Sequence, residues 1–314
     1  MSKKVLQTHN SIHDFFSAKK TIITIGTFDG VHLGHQKILS QLVEEAKALQ
    51  YESLVLTFFP HPRMVLGKEN SIKLINTIAE KKQLLEAIGI DNLIVHEFDT
   101  NFADLTALDF VEKILVGKLN VGKIIIGYDH KFGKGRTADI NDLIEFGKQF
   151  GFEVEQISAE EIGDIAISST KIRKALLGGN IKLVNQFLGY TFEFTGKVIE
   201  GKKIGRTIQF PTANIAIAEN YKLVPKNGVY IIESEIDNIH YHGMMNIGTN
   251  PTLGENQQTI EVHFFDFDQN IYDKTLTIKV LDKIREEQKF DSLEALRMQL
   301  KKDQTFSKSY FNKL

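Results

Sequence analysis

The chain has no cysteine and no tryptophan among its 314 residues. The lack of cysteine excludes disulfides and thiolate metal sites, which fits a reducing, cytoplasmic compartment. A formal net charge of −2 gives no overall basic surface for nucleic acid or an anionic membrane. No run approaches the roughly 18 apolar residues that span a bilayer, and the N-terminal segment lacks the apolar core of a secretory signal. We therefore expect a cytoplasmic protein without nucleic-acid or membrane partners; a homo-oligomer is compatible with this composition.

The first half of the chain alternates short apolar runs with amphipathic segments. One amphipathic segment begins at Thr77, has Glu80 three residues later and continues to Ile88, which is a capping-box pattern for a helix. The apolar runs are rich in β-branched residues and are typical of buried parallel strands: TIITIG (21–26), SLVLTFF (53–59), NLIVHEF (92–98) and GKIIIG (122–127). This alternation predicts a doubly wound, Rossmann-like α/β domain.

The pattern changes after a short helix near 181–188. Five strand-like runs follow without intervening helices: TFEFTGKVIE (191–200), GVYIIESEI (228–236), IHYHGMMNIG (239–248), TIEVHFFDF (259–267) and KTLTIKVL (274–281). Such spacing predicts an antiparallel β-barrel. Ser292 and its neighbours then begin a final helix that we expect to reach about residue 302. We place the domain boundary near 185, giving domains 1–185 and 186–314.

The stretch GTFDGVHLGHQ (26–36) combines glycines, an aspartate and two histidines after a strand and before a helix. Gly26 and Gly30 allow the backbone to approach a ligand closely, and a helix N-terminus binds phosphate. His32 and His35, three residues apart, can both donate hydrogen bonds to a phosphate. The stretch is neither the dinucleotide fingerprint nor a P-loop. The alternative is a glycine-rich turn with two exposed histidines.

The pattern G-x-F-D-x-x-H-x-G-H resembles the signature of the nucleotidyltransferase superfamily, in which the histidines hold a triphosphate during AMP or CMP transfer. The stretch ISSTKIRKAL (167–176) resembles its second signature, I-S-S-T-x-I-R. Hydroxyl side chains can cap a helix and bind phosphate, and an arginine can neutralise one. A structural cap with a solvated arginine is the alternative. The residues implied here are Ser168, Ser169, Thr170 and Arg173.

Two further stretches, FFPHPR (58–63) and GYDHKFGKGR (127–136), resemble elements of the bacterial bifunctional riboflavin kinase/FAD synthetase family. In that family both lie near the nucleotide and flavin sites of the adenylyltransferase domain. The resemblance implies that Gly26, Phe28, Asp29 and Asp129 bind ATP and its phosphates. The second stretch departs from the family pattern D-F-x-F-G, because His130 stands in place of the first phenylalanine.

The second half carries GKVIEGKKIGRTIQFPTANI (196–215), whose last part resembles the PTAN motif of riboflavin kinases. The resemblance implies that Thr212 and Asn214 help to place Mg²⁺ and the ATP phosphates, and hard oxygen ligands suit Mg²⁺. A plain hairpin and a turn after proline are the alternatives. The flexible cationic segment before the motif is expected to bind phosphates or flavin through Gly196, Lys202, Gly205 and Arg206.

Glu261 lies on a predicted strand, with Ile260 and Val262 on the opposite face. The resemblance implies that Glu261 is the base for the terminal ribityl hydroxyl of riboflavin. Arg285, in a stretch similar to the family's R-x-E-x-K-F, is implied to lie near ATP or flavin. Asn250 stands where an arginine is common, so no role is assigned to it.

The resemblance covers residues 15 to 303 and implies a bifunctional enzyme. The barrel would phosphorylate riboflavin with ATP and Mg²⁺, and the first domain would join AMP to FMN, so that FMN and FAD are substrate and product and not redox cofactors. Three alternatives stay open. Only one activity is retained and the other half binds flavin; the chain is a class I synthetase-like protein that acts on RNA; or it is a non-catalytic flavin sensor.

Overall fold

The structure is a computed structural model that describes residues 5–67, 72–127, 131–158, 167–201, 204–249 and 258–312. The chain divides into two compact units, Met1–Ser169 and Thr170–Leu314. Four residues singled out from the sequence lie outside the described ranges, namely Asp129, His130, Lys202 and Asn250. Each unit is built around its own sheet.

The first unit contains a six-stranded parallel sheet in the order β1-β4-β3-β2-β5-β6. Its strands are β1 (Gln7–His9), β2 (Thr21–Ile25), β3 (Glu52–Phe58), β4 (Asn92–His96), β5 (Val121–Gly127) and β6 (Glu153–Ile157). The four predicted strands form the centre, and the prediction of a doubly wound domain is confirmed. The two additional strands lie at the edges, where few of their residues are buried and no apolar run marks them.

Helices cover both faces of this sheet, so adjacent residues of one strand enter different cores. Ile22 packs in the core that includes Leu39 and Leu42, whereas Ile23 packs in the core that includes Phe110. The helices are α1 (Leu33–Leu49), α2 (Pro62–Leu66), α3 (Ile78–Ile88), α4 (Thr100–Ala103), α5 (Ala107–Asp109), a π-helical run (Phe110–Val116) and α6 (Ile140–Phe150), with 3₁₀ turns at Ile12–Asp14 and Lys134–Arg136.

The predicted capping box of α3 is confirmed. The backbone N–H of Glu80 donates to Thr77 Oγ1 at 3.1 Å, and the backbone N–H of Thr77 donates to Glu80 Oε2 at 2.9 Å. Two of the unpaired donors at the helix N-terminus are thereby satisfied. The box fixes where α3 begins and thus which of its side chains face the sheet.

The second unit is a closed antiparallel barrel in the order β10-β11-β8-β7-β12-β9. Its strands are β7 (Glu193–Ile199), β8 (Ala213–Ala216), β9 (Gly228–Ile236), β10 (Ile239–Thr249), β11 (Gln258–Phe264) and β12 (Thr275–Arg285), and its helices are α7 (Ser169–Gly178), α8 (Ile181–Leu188), α9 (Ile204–Thr207) and α10 (Leu293–Phe311). The barrel prediction is confirmed. The sequence did not predict β8, because its four residues follow a proline and form no apolar run.

The helix before the barrel packs on it. Asn185 of α8 donates through Nδ2 to the backbone carbonyl of Val280 in β12 at 3.1 Å, and its Oδ1 accepts from the backbone N–H of Phe192 at 2.8 Å. These contacts explain why α8 belongs to the second compact unit, although the sequence placed the boundary near 185.

The last helix begins as predicted and ends later than predicted. Ser292 caps it by accepting from the backbone N–H of Ala295 at 3.1 Å, and the helix continues to Phe311. The predicted end near 302 was wrong, because the buried residues of the later turns are Asp303 and Ser307, which carry no apolar signal. None of the helices in the described ranges combines the length and apolar character needed to cross a membrane.

Candidate active sites

The first site lies where the strand order of the parallel sheet reverses. β2 pairs with β3 on one side and with β5 on the other. In open α/β sheets, ligands bind at the carboxyl ends of the strands at such a switch point. The stretch 26–36 follows β2 directly, so the sheet places its glycines and histidines at that edge.

The turn between β2 and α1 is compact and left-handed in several places. Gly30 has φ of 87°, while Phe28 and Val31 have φ of 43° and 35°. The backbone N–H of Val31 donates to the carbonyl of Phe28 at 3.2 Å. The Phe28 ring is buried, and a Cβ at Gly26 would lie 3.1 Å from its Cε2 atom. Gly26 therefore leaves room for the phenylalanine ring, a different use from the close ligand approach that the sequence suggested.

The two histidines form a stacked pair at the N-terminus of α1. His32 is the N-cap residue, and its Nδ1 accepts from the backbone N–H of His35 at 3.4 Å. The ring centroids are 3.6 Å apart with an interplanar angle of 18°. Because Nδ1 accepts, the neutral His32 ring carries its proton on Nε2 and can donate there. Among the described residues, His35 Nδ1 is buried without a hydrogen-bond partner.

Burial keeps both histidines neutral at physiological pH. Desolvation lowers the pKa of His32 from 6.5 to about 4. The pKa of His35 lies well below 6.5, chiefly because of burial and further because of the neighbouring His32 and Lys81. The pair can therefore act as neutral hydrogen-bond donors toward a phosphate, a role that does not require imidazolium.

Asp29 is buried and holds the turn against neighbouring backbone. Its Oδ1 accepts from the backbone N–H groups of Ile75 and Asn76 at 2.9 and 3.4 Å. Ser169 Oγ donates to the backbone carbonyl of Asp29 at 2.8 Å, which joins the two signature stretches. Ser168 precedes this contact, while Thr170 and Arg173 lie on α7 in the second compact unit.

The sequence reasoning missed Lys81. Its Nζ donates to the backbone carbonyl of Thr27 at 2.6 Å, at the start of the turn. In the sequence, only the helical spacing could have pointed to Lys81. Ile78, Lys81 and Leu85 are three and four residues apart and so share one face of α3, and a lysine is unusual on the apolar face of a helix.

Aromatic side chains lie at the carboxyl ends of β3 and β4. Phe58 packs against Phe98 and Phe102 with ring centroids 5.6 and 5.3 Å apart. His61, in the stretch FFPHPR, caps α2 by accepting from the backbone N–H of Arg63 at 3.0 Å. This edge offers aromatic rings beside the switch point.

The second site is a row of polar side chains across three barrel strands. Glu261 of β11 is in register with Asn214 of β8 and with Asn246 of β10. Residues directly opposite in neighbouring strands point to the same face. Ile260 and Val262, which alternate with Glu261 along the strand, are buried. Asn246 is a site candidate that the sequence did not single out.

Glycines allow the preceding segment to pack closely against this row and the residues beside it. A Cβ at Gly201 would lie 2.0 Å from Asn214 Nδ2, and a Cβ at Gly205 would lie 2.1 Å from the carbonyl oxygen of Phe210. Gly196 is equally confined, because its Cβ would lie 2.5 Å from a methyl group of Ile215. The segment that was expected to cover phosphates therefore approaches the PTAN stretch closely.

The other kinase candidates have defined contacts. Arg206 NH2 donates to the hydroxyl of Tyr272 at 3.4 Å. Arg285, the last residue of β12, donates from Nε and NH2 to the Asp303 carboxylate at 2.8 to 3.1 Å, so α10 is joined to the barrel through this arginine. His263 Nδ1 lies 2.8 Å from the carbonyl oxygen of Pro211, next to Thr212.

The potential metal ligands near the row are oxygen atoms, which suit a hard cation. The Thr212 hydroxyl and the Asn214 amide offer oxygen atoms, and oxygen is the ligand that Mg²⁺ prefers. The close approach of Gly201 keeps the amide of Asn214 in a fixed place. Within the described ranges no group of three or more His, Asp and Glu side chains is placed to hold a metal.

Comparison with known proteins gives a match for each unit. The family model described as FAD synthetase matches residues 16–171, and the one described as riboflavin kinase matches residues 188–311. The bifunctional riboflavin kinase/FMN adenylyltransferase of Buchnera aphidicola (subspecies Acyrthosiphon pisum) is 37% identical, over 98% of this chain and 98% of the relative. That of Bacillus subtilis is 38% identical over 94% of both chains.

A solved structure shares the whole fold. A crystal structure described as a macrolide-efflux protein from Streptococcus pneumoniae superposes with a TM-score of 0.88 at 32% identity, covering 97% of this chain and 99% of the other. The chain contains both a FAD synthetase and a riboflavin kinase domain. Its similarity to the two relatives extends over nearly the full length of each chain. It belongs to the family of bifunctional riboflavin kinase/FMN adenylyltransferases.

Proposed function

We propose that the chain phosphorylates riboflavin with ATP to give FMN and ADP, and then adenylylates FMN with a second ATP to give FAD and pyrophosphate. Residues 1–185 are assigned to the adenylyl transfer and residues 186–314 to the kinase reaction, in a cytoplasmic protein whose ligands are riboflavin, FMN and ATP. The observation that carries the proposal is that two separate polar constellations lie in two compact units, each matched by a different family model.

In the adenylyl transfer, an oxygen of the FMN phosphate attacks the α-phosphorus of ATP, the bond to the β-phosphate breaks, and pyrophosphate leaves. The nucleophile is already an anion, so no base is required. His32 donates from Nε2 to the charge that develops on the transferring phosphate, and its stacked neighbour His35 acts beside it. Phe28 and Asp29 hold the turn, while Asp129 and the remaining candidates bind ATP: Gly26, Ser168, Ser169, Thr170 and Arg173.

In the kinase reaction, the terminal ribityl hydroxyl attacks the γ-phosphorus of ATP and ADP leaves. Glu261 accepts the hydroxyl proton, and its place in the middle of a strand between Asn214 and Asn246 holds the carboxylate in a fixed position. The segment with Gly196, Lys202, Gly205 and Arg206 covers the phosphates.

Arg285 has a positioning role in the kinase domain. Its hydrogen bonds to Asp303 hold α10. Leu296 and Leu300 of that helix pack against the apolar cluster that contains Phe210, one residue before the PTAN stretch. The arginine thus supports the ATP and flavin site through the helix.

Mg²⁺ would be held at the kinase site by oxygen atoms of Thr212 and Asn214 together with substrate phosphates. When bound, it supplies charge neutralisation on the phosphates. The protein's part is to keep these two oxygens fixed, through the register of β8 with β11 and the contact of Gly201 with Asn214.

Separation of flavins by chromatography tests the proposal directly. The full chain is incubated with riboflavin, ATP and Mg²⁺, and FMN followed by FAD is the expected order. His32→Asn and His35→Asn should lower FAD formation by about 10²–10³ and leave FMN formation intact, because one oriented donor commonly contributes that much.

Glu261→Gln is the reciprocal variant. It should block FMN formation and leave FAD formation from added FMN unchanged. Loss of both activities in a folded Glu261→Gln protein would contradict independent sites. In the unmodified chain, riboflavin left untouched while added FMN becomes FAD would contradict the kinase assignment.

A further inference from the structure

A buried ammonium lies beneath the turn of the adenylyl-transfer site, and none of the signature stretches contains it. Lys81 is 3% exposed. A lysine is almost never fully buried unless it is paired, because removing its charge from water is costly. Its burial at this place therefore calls for a function.

The contacts of Lys81 all lead to the turn. Nζ donates to the backbone carbonyl of Thr27 at 2.6 Å and to Thr57 Oγ1 at 3.4 Å, while Thr57 Oγ1 itself donates to the Thr27 carbonyl at 3.3 Å. Thr27 immediately precedes Phe28, so this carbonyl fixes where the turn leaves β2. Among the described residues the ammonium has no other hydrogen-bond partner.

The segment that carries Lys81 holds the turn at two points. The backbone N–H groups of Ile75 and Asn76 bind the Asp29 carboxylate, and Lys81, one turn into α3, binds the carbonyl two residues before Asp29. The capping box at Thr77 sets where α3 begins, so both points of attachment are fixed relative to each other.

We propose that Lys81 is a positioning residue for adenylyl transfer: its buried ammonium anchors the Thr27 carbonyl, and thereby the turn that presents His32 and His35, and places positive charge under the phosphate site. This inference rests on the proposed adenylyl-transfer function of that site.

The charge of Lys81 changes with pH, and FMN formation by the kinase domain of the same chain serves as the reference against which the pH dependence of FAD formation is compared. The titratable groups that interact with its charge are Asp29 on the turn and His35 on α1, and His35 stacks on His32. Burial lowers the pKa of Lys81 to about 8, against an opposing effect of Asp29. The histidines are neutral above pH 7, and a monophosphate has its second ionisation near pH 6, so neither titrates near pH 8.

The experiment compares Lys81→Met, Lys81→Arg and the matched control Lys82→Met, whose lysine is the exposed neighbour on the same helix. FAD formation from FMN and FMN formation from riboflavin are measured in the full chain between pH 6.5 and 9.5. Lys81→Met should lower kcat for FAD formation by about 10- to 100-fold, since small misplacements of reacting groups cost that much, with FMN formation unchanged.

The pH profile separates a charge effect from a packing effect. Wild-type FAD formation should fall as pH rises through about 8, because the ammonium loses its proton. That fall should be absent in Lys81→Met and should move to higher pH in Lys81→Arg, because a guanidinium does not deprotonate in this range. A fall near pH 8 that is the same in all variants would overturn the proposal.

Hydrogen exchange of the peptide 26–36, measured on the protein alone, judges the anchor independently of activity. Lys81→Met should speed exchange there, and Lys82→Met should not. Unchanged exchange and rates equal to those of Lys82→Met would refute the role of Lys81. Faster exchange with no FAD from the wild type would instead show that the anchor exists and that the proposed reaction is wrong.

Discussion

Removing only one partner of the ion pair between Arg285 and Asp303 should be one of the most destabilising single changes in the barrel. Three donor–acceptor distances of 2.8 to 3.1 Å join the two side chains. The Asp303 side chain is 2% exposed and that of Arg285 is 15% exposed. Gln299 Nε2 also donates to Asp303 Oδ1 at 2.8 Å. Asp303→Asn keeps the shape and removes the charge, so it leaves the guanidinium largely buried without its counter-ion.

The expected cost follows from that burial. Removing one partner of a buried ion pair costs about 3–5 kcal/mol. In a domain of about 150 residues, 1 kcal/mol shifts Tm by roughly 2–4 °C, so the shift should be roughly 6–20 °C. The control is Asp266→Asn. It breaks the exposed ion pair between Asp266 and Lys308, and Lys308 lies on α10, the helix that carries Asp303. An exposed pair contributes about 0–1 kcal/mol.

Thermal and urea unfolding of the full chain measure the effect, with FMN and FAD formation as reporters of the two units. Only the transition that accompanies loss of FMN formation should move in Asp303→Asn. Arg285→Met combined with Asp303→Leu should cost less than the sum of the two single changes, because the pair is then removed together. Equal effects of Asp303→Asn and Asp266→Asn, or additive costs in the double variant, would refute the reasoning.

Three further changes test the sites. Gly201→Ala should lower kcat/KM for FMN formation by about 100-fold, because its Cβ would lie 2.0 Å from Asn214 Nδ2; FAD formation from FMN should be unaffected. Asn246→Asp places a carboxylate opposite Glu261, so the acid limb of FMN formation should move up by about 1 pH unit, whereas Asn246→Ser should leave it in place. The pKa of His32, about 4 when folded against 6.5 unfolded, contributes stability that is complete above pH 6.5 and is lost as pH falls toward 4. In urea titrations this loss should be smaller in His32→Asn than in wild type by about 3 kcal/mol, and the loss that remains comes from His35, whose pKa is lowered as well.

Periodicity and turn signals predicted the elements that carry apolar patterns and missed those that do not. The four central strands of the sheet and the capped start of α3 followed from buried β-branched runs and from Thr77 with Glu80. In the two edge strands, β1 and β6, only Ile157 is buried, and no apolar run marks them. The late end of α10 was missed for a related reason, since its buried residues Asp303 and Ser307 are polar and are stabilised by hydrogen bonds.

The site was predictable where a motif contains the whole interaction and not where the partner is distant in sequence. The residue types at 26–36 indicated a phosphate site after a strand, but the contacts that hold the turn come from 75–81 and from Ser169. Likewise the family resemblance pointed to Glu261, while Asn246 became a candidate only through the register of β10 with β11. The spacing of residues within one strand does not state which residues of a neighbouring strand lie opposite.

The two candidate sites hold their key side chains by different means. His32 and His35 lie on a turn after a strand, so their position depends on side chains that bind the turn backbone, above all Asp29 and Lys81. Glu261 lies within a strand that is paired on both sides, so its position depends on barrel closure itself. A parallel sheet offers loops at one edge, where charge can be gathered around a triphosphate. A closed barrel has no such free edge, so it presents a fixed carboxylate from a strand. In the proposed kinase reaction, the glycine-rich segment before β8, which lies close to Asn214, brings the phosphates toward that carboxylate.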